Sequence, residues 1–134
     1  KKKCNKSNKG PVFSGDFSLN SGYEITQKIL NLKNRPTAIF AANNMMATGS
    51  VKAIMEAGLK IPNDISFICF DDVDMFEIMN MNISTVSRPT EEMGVVAGEM
   101  LFELIDSKKI EKTQIKEIVL KTQLSLRGSE KLIR

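Results

Sequence analysis

The 134-residue chain contains no histidine, so neither a Ser-His nor a Cys-His pair can be assembled, and hydrolysis by those nucleophiles is excluded. No glycine spacing resembles a phosphate loop or a dinucleotide fingerprint. The two cysteines, Cys4 among lysines and Cys69 in an apolar run, are too few and too unlike for a disulfide framework, and Cys69 reads as a small buried hydrophobe. No apolar run approaches the roughly 20 residues that span a bilayer, and no secretory leader opens the sequence as it stands; the expectation is a cytoplasmic protein with no membrane partner. A basic stripe is also lacking. Lys1, Lys2, Lys3, Lys6 and Lys9 supply five of the 19 Lys and Arg residues, leaving 14 against 16 acidic ones, so the net charge of +3 is the work of one end. Direct contact with nucleic acid is therefore disfavoured.

What is present is a hydrophobic content of 42%, enough for a core of about one domain. Pro11 to Ser14 reads as a short strand, and the spacing of Tyr23, Ile25, Ile29, Leu30 and Leu32 predicts an amphipathic helix from Ser18 to Lys33, stopped by Arg35-Pro36. Thr37 to Ala42 follows as a compact strand. Asn43 or Asn44 can cap the next helix, which Gly58 closes as a left-handed residue, and Ile65 to Phe70 has the continuous apolar pattern of a strand covered on both faces. A short helix at Met75 to Met79, a strand at Ile83 to Ser87, a long helix capped by Thr90 and a last strand within Lys116 to Leu126 complete the order. Such alternation predicts an α/β fold, a doubly wound and mainly parallel sheet with right-handed crossovers.

Ligands of open parallel sheets bind beyond the carboxyl ends of the strands. The residues found there are Asp16 and Phe17, Asn43, Asp71 with Asp72, and Arg88. Carboxylates and amides pair with neighbouring hydroxyls and an aromatic face covers the C–H side of a sugar, so the set suits a small polyhydroxylated molecule. Asp16, Asn43 and Asp71 could equally serve as caps of turns and helices. A magnesium site at Asp71-Asp72, as in a phospho-receiver, is weakly supported, since adjacent residues of an extended segment point apart and no third ligand is evident.

The helix after Asn44 carries Met46, Gly49, Ser50 and Ala53 on one face and Ala47, Val51, Ile54 and Met55 on another. Two faces needing burial, together with the apolar run Met75, Phe76, Ile78, Met79, point to a partner surface and a symmetric homodimer. Gly94-x-x-x-Gly98 is read as tight packing of the long helix on a sheet.

Arg35-Pro36-Thr37-Ala38-Ile39-Phe40-Ala41-Ala42-Asn43-Asn44 with Met46-Ala47-x-Gly49, then Glu56-Ala57-Gly58-Leu59-x-Ile61-Pro62-x-Asp64-Ile65-Ser66, Phe70-Asp71-Asp72, Ser84-Thr85-Val86 and Arg88-Pro89 to Gly94 form a succession that resembles the LacI/GalR regulators. Gly15-Asp16-Phe17 with Ser21-Gly22-Tyr23 also fits. The resemblance spans roughly residues 11 to 128 and implies the periplasmic-binding-protein-like fold of two lobes joined by three crossovers. In its terms residues 1–10 are a basic leader and 11–85 are most of the C-terminal lobe. Residues 86–115 are a crossover and a helix of the N-terminal lobe, and 116–134 a returning strand and tail.

The resemblance implies a sugar or related small-molecule effector at Phe17, Asn43, Asp71 and Arg88, with no cofactor, metal or catalysis. It also implies a dimer interface at Ser18, Leu19, Ala47, Thr48, Val51, Lys52, Ile78 and Met79, with operator DNA reached only through a helix-turn-helix that this sequence lacks. Asn44 stands where the family usually has aspartate, and Asn80-Met81-Asn82 lacks the usual prolines. A sugar-binding transport protein of the same fold is the alternative reading.

Overall fold

The computed structural model describes residues 10–106 and 116–130; residues 1–9 of the basic leader, with Cys4, the end of the 86–115 segment from residue 107 and the tail from residue 131 lie outside the described residues. Helix α1 (Leu19–Leu30) begins where the Ser18 hydroxyl accepts the Ser21 N–H at 3.0 Å, a side-chain cap that replaces one missing intrahelical acceptor. It ends earlier than Pro36 would require, because Asn31 turns both its main-chain N–H and its side-chain amide onto the Gln27 carbonyl and ties off the last turn. Strand β1 (Ala38–Ala41) leads to Asn43, whose side chain accepts the Met46 N–H at 3.0 Å and caps α2 (Asn44–Glu56). Gly58, at φ 71°, closes α2 as expected: its N–H reaches Met55 O and that of Leu59 reaches Ile54 O. Strand β2 (Ser66–Phe70), helix α3 (Asp74–Ile78), strand β3 (Ser84–Ser87), helix α4 (Thr90–Asp106) and strand β4 (Gln123–Ser125) follow.

The strands lie in the order β1-β2-β3-β4, with β1, β2 and β3 parallel and β4 antiparallel to β3. The final strand thus returns along β3. Ile39, Ala41, Phe67 and Cys69 face one side, where Ala47, Val51 and Ile54 of α2, Phe76 of α3, Ile65 and Ile83 close a core around them. Both faces of α2 are used within the chain. Its Ala47, Val51 and Ile54 stripe enters this core, and its Met46, Gly49 and Ser50 stripe meets α1: Thr26 donates to Ser50 Oγ at 2.8 Å in a buried contact, and a side chain at Gly49 would strike the Leu19 carbonyl.

The opposite face of the sheet is more open, with Ala38 and Phe40 exposed and Ile68 and Phe70 half-buried. Among the described residues, helix cover is therefore heaviest on one side. Two expectations need correction. Residues 11–14 form no strand; they lie across a groove of about 410 Å³ from β1, whose strand partner among the described residues is β2, and Val12 is 91% exposed. An apolar extended segment becomes a strand only when a neighbour takes its backbone groups. Gly94 and Gly98, read as a tight packing motif, have nothing within 4 Å of where a Cβ would stand. Among the described residues, helix α4 has no buried residue and packs closely against no other helix or strand.

Candidate functional site

The strand register decides which residues share an edge. Ala41 lies opposite Cys69, and Cys69 opposite Thr85, so Asn43, Asp71 and Ser87 each sit two residues past one level of a parallel sheet, with Arg88 one further. The Gly15-Asp16-Phe17 turn joins them from outside the sheet. A Cβ at Gly15 would stand 2.7 Å from Met46 Cε, and Gly22 abuts the Met46 backbone, which places this turn beside the first turn of α2. Asn43, Asp71, Asp72 and Arg88 thus belong to the carboxyl edge, while Asp16 and Phe17, which follow no strand, lie beside it. The grooves at Arg88 are not shared with Phe17, Asn43 or Asp71: among the described residues, one of about 360 Å³ is bounded by α4 and residues 118–122, and one of about 580 Å³ by residues 88–95.

Asp71 and Arg88 form a fork. Arg88 Nε donates to Oδ1 at 3.0 Å and Nη2 to Oδ2 at 2.7 Å, while the guanidinium lies 5.9 Å from the Phe70 ring centre. The two-point geometry fixes both groups in one orientation, and the aromatic ring beneath fixes it further. Asp71 itself has φ 66°, a left-handed conformation that aspartate tolerates better than most residues. Its N–H donates to Val86 O at 2.9 Å and its carbonyl receives the Cys69 thiol at 3.3 Å. Burial, with the Asp72 carboxylate nearby, pushes the Cys69 thiol up to about 11, so it stays protonated and donates.

Phe17 also adopts φ 66°, and the residue is 68% exposed. A bulky residue gains nothing locally from that conformation, and such outliers concentrate at binding surfaces. The turn around it is built by Asp16, whose carboxylate accepts the Ser18 N–H at 3.0 Å and whose N–H donates to Ser21 Oγ at 3.2 Å. Those bonds, with Ser18 foremost, lower the Asp16 pKa. Asp16 and Asn43 therefore do act as turn and helix caps, as the plainer reading allowed. In doing so they hold Phe17 and the amide of Asn43 at the edge.

Sequence reasoning missed Arg127. Its Nη1 donates to Asp72 Oδ1 at 2.7 Å, to Ile83 O at 3.0 Å and to Thr85 Oγ1 at 3.1 Å, and Thr85 Oγ1 also donates to Asp72 at 2.8 Å. The Arg127 bond is the main reason the Asp72 carboxyl is held below its ordinary value. Nothing in the local pattern announces a pairing across 55 positions. Asp71 and Asp72 are each taken by a different arginine rather than converging on a common cation.

Of the residues assigned by resemblance to a dimer interface, Ala47 (0% exposed) and Val51 (3%) are buried in the chain's own core and present no surface to a partner. Their small and β-branched side chains fill the space beneath α2. Ile78 and Met79 are exposed; Ser18, Leu19 and Thr48 are half-buried; and Lys52 is exposed, pairing with Glu56 at 3.9 Å over the Tyr23 ring.

The periplasmic binding protein-like domain matches residues 4–129. The HTH-type transcriptional repressor ExuR of Bacillus subtilis is 36% identical over 115 residues, 86% of this chain and 34% of that protein. The HTH-type repressor PurR of Edwardsiella ictaluri is 40% identical over 98 residues, 73% of this chain and 29% of the relative. A LacI family regulator from Enterococcus faecalis, solved with bound ribose, superposes with a TM-score of 0.75 at 31% identity, covering 91% of this chain and 44% of the other. The chain spans about a third of the length of the curated relatives it matches. Among its described residues no helix is long and apolar enough to cross a membrane. The fold, its parallel strand-end edge and these likenesses agree: the chain belongs to the periplasmic binding protein-like domain family and, within it, stands with the LacI-type regulators.

Proposed function

We propose that the chain is an effector-binding and dimer-forming segment of a cytoplasmic LacI-type transcription regulator, and that Phe17, Asn43, Asp71 and Arg88 receive a small polyhydroxylated effector. Asp16 serves by shaping the turn that presents Phe17. The observation that carries this reading is the Asp71–Arg88 fork at the carboxyl edge of the parallel strands. A carboxylate held rigidly by two guanidinium bonds keeps lone pairs for adjacent hydroxyls, and the exposed Phe17 ring offers a face to the C–H side of a sugar ring. The bound ribose of the Enterococcus faecalis regulator is in keeping with a ligand of that class.

Residues 11–85 act as one lobe, and 86–115 carry the chain into a second, whose body is supplied by polypeptide that the relatives possess and this sequence does not. That assignment gives α4 its missing cover. DNA is reached through a separate helix-turn-helix, and no chemistry is performed. Effector closes the two lobes and shifts a two-state equilibrium that sets operator affinity. Ser18, Leu19, Thr48, Lys52, Ile78 and Met79 supply the dimer surface; Ala47 and Val51 support it from beneath.

In the full-length parent, Asp71→Ala is expected to raise the effector concentration needed for half-maximal operator response by about 10- to 100-fold, since Arg88 is left without its partner. Dimerisation should be unchanged. Titration of operator binding against ribose and related sugars, with sedimentation alongside, checks both; an unaltered response removes Asp71 from the site.

A further inference from the structure

The carboxyl end of β2 places two consecutive carboxylates against two arginines that come from different parts of the chain. Asp71 meets Arg88 from a left-handed backbone, a conformation that persists where the surroundings over-determine it. On the N-terminal side Cys69 holds the Asp71 carbonyl; on the C-terminal side the next residue, Asp72, is held by Thr85 and Arg127.

Arg127 stands on an unusually firm base. Its own N–H donates to Ser84 Oγ at 2.8 Å. Two residues on, the buried Ser129 accepts the Phe67 N–H at 2.9 Å through its carbonyl and donates its hydroxyl to Phe67 O at 2.5 Å, while the same hydroxyl accepts the Ser84 N–H at 2.7 Å. The Glu130 carboxylate accepts from the Ser84 hydroxyl and from the Gly128 N–H. Residues 127–130 are thereby stapled across β2 and β3 at their amino-terminal halves, and the arginine reaches from that staple to Asp72. The pair itself is about half exposed, and ion pairs so open to solvent add little to stability. Its consequence lies in where it holds Asp72.

We infer that Arg127 is a positioning residue for the candidate effector site: through Asp72 it fixes the left-handed turn at Asp71 and so aims the Asp71 carboxylate at Arg88. The functional weight of this inference rests on the proposed role of Asp71 and Arg88, but its structural content can be read with no ligand present. The probe is the Arg88 Nε–H, which donates to Asp71 Oδ1 and whose exchange with solvent requires that bond to open.

In the 134-residue chain, nitrogen-15 NMR of the arginine side chains should show Arg88 Nε–H exchange about threefold faster in Arg127→Gln and in Asp72→Asn, an opening cost of about 0.7 kcal/mol. The double variant should be no faster than either single one, and amide protection at Thr26 and Ile54 should be retained. A merely structural staple predicts the reverse, loss of amide protection throughout with the Arg88 signal following it. Unchanged Arg88 exchange in folded Arg127→Gln overturns the inference. If that variant does not fold, Asp72→Asn, which leaves the Ser84–Ser129 staple in place, decides by the same criterion. Absence of sugar binding by the parent would refute the effector reading and leave this measurement standing.

Discussion

At the scale of single residues, Asn43 separates structural duty from function. Its side-chain oxygen caps α2, and loss of such a cap costs about 1 kcal/mol. Asn43→Ala should therefore lower the thermal midpoint by roughly 4 °C, whereas Asn43→Asp keeps the capping oxygen and should hold the midpoint. If Asn43 also donates its amide N–H to effector, both variants weaken effector binding and only one weakens the fold. Calorimetry and effector titration on the same pair read the two duties independently. Asn43, Asp71 and Arg88 were legible because a buried strand ends abruptly in sequence and the residue after it must lie at the edge. The left-handed backbone at Asp71 was not, since its N–H is taken by Val86, which only the folded chain brings near; that at Phe17 belongs to a local turn, closed by the Ser18 N–H on the Asp16 carboxylate, that the residue types alone do not announce. Arg127 was illegible for the same reason as Asp71, in stronger form.

At the scale of elements, α2 shows how a pattern can be right and its interpretation incomplete. The two apolar faces exist, but α1 covers one and the β2–α3 core covers the other, so neither requires a second molecule. The signal for α1 as a partner was present in the glycines: Gly22 and Gly49 sit where the two helix backbones touch, with Tyr23 N at 2.8 Å from a Cβ placed on Gly49. Gly49→Ala puts a methyl against backbone that cannot yield, and overpacking of this kind costs about 1–3 kcal/mol. The expected outcome is a lower urea midpoint with early loss of amide protection in α1, while β2 and β3 remain protected to the global transition. Hydrogen exchange resolved by element makes the comparison, and equal loss everywhere would mean that α1 and α2 do not form a separable contact. The strand reading of Pro11 to Ser14 fails for the converse reason: alternation and composition report what a segment can do, and a neighbour is needed before it does it.

For the molecule as a whole, the question is what solvent makes of the surfaces left uncovered. Helix α4 exposes Val95, Leu101, Phe102 and Ile105 and shares with Ile118, Leu120, Pro89 and Phe70 an apolar groove of about 360 Å³, and among the described residues β1 is an edge strand beside the exposed Phe40. Contiguous apolar area on this scale and an open strand edge both drive association. The chain alone is therefore expected to sediment as a concentration-dependent mixture rather than as a monomer. Phe102→Glu with Ile105→Lys, which charge α4 without touching the core, should shift that mixture toward monomer while leaving the far-ultraviolet dichroism unchanged. Association that persists undiminished in this double variant assigns the contact to the β1 edge instead, and Phe40→Lys then provides the next comparison. A clean monomer at millimolar concentration would mean that α4 folds back over its own apolar stripe, and the cover proposed for it from a second lobe would no longer be needed.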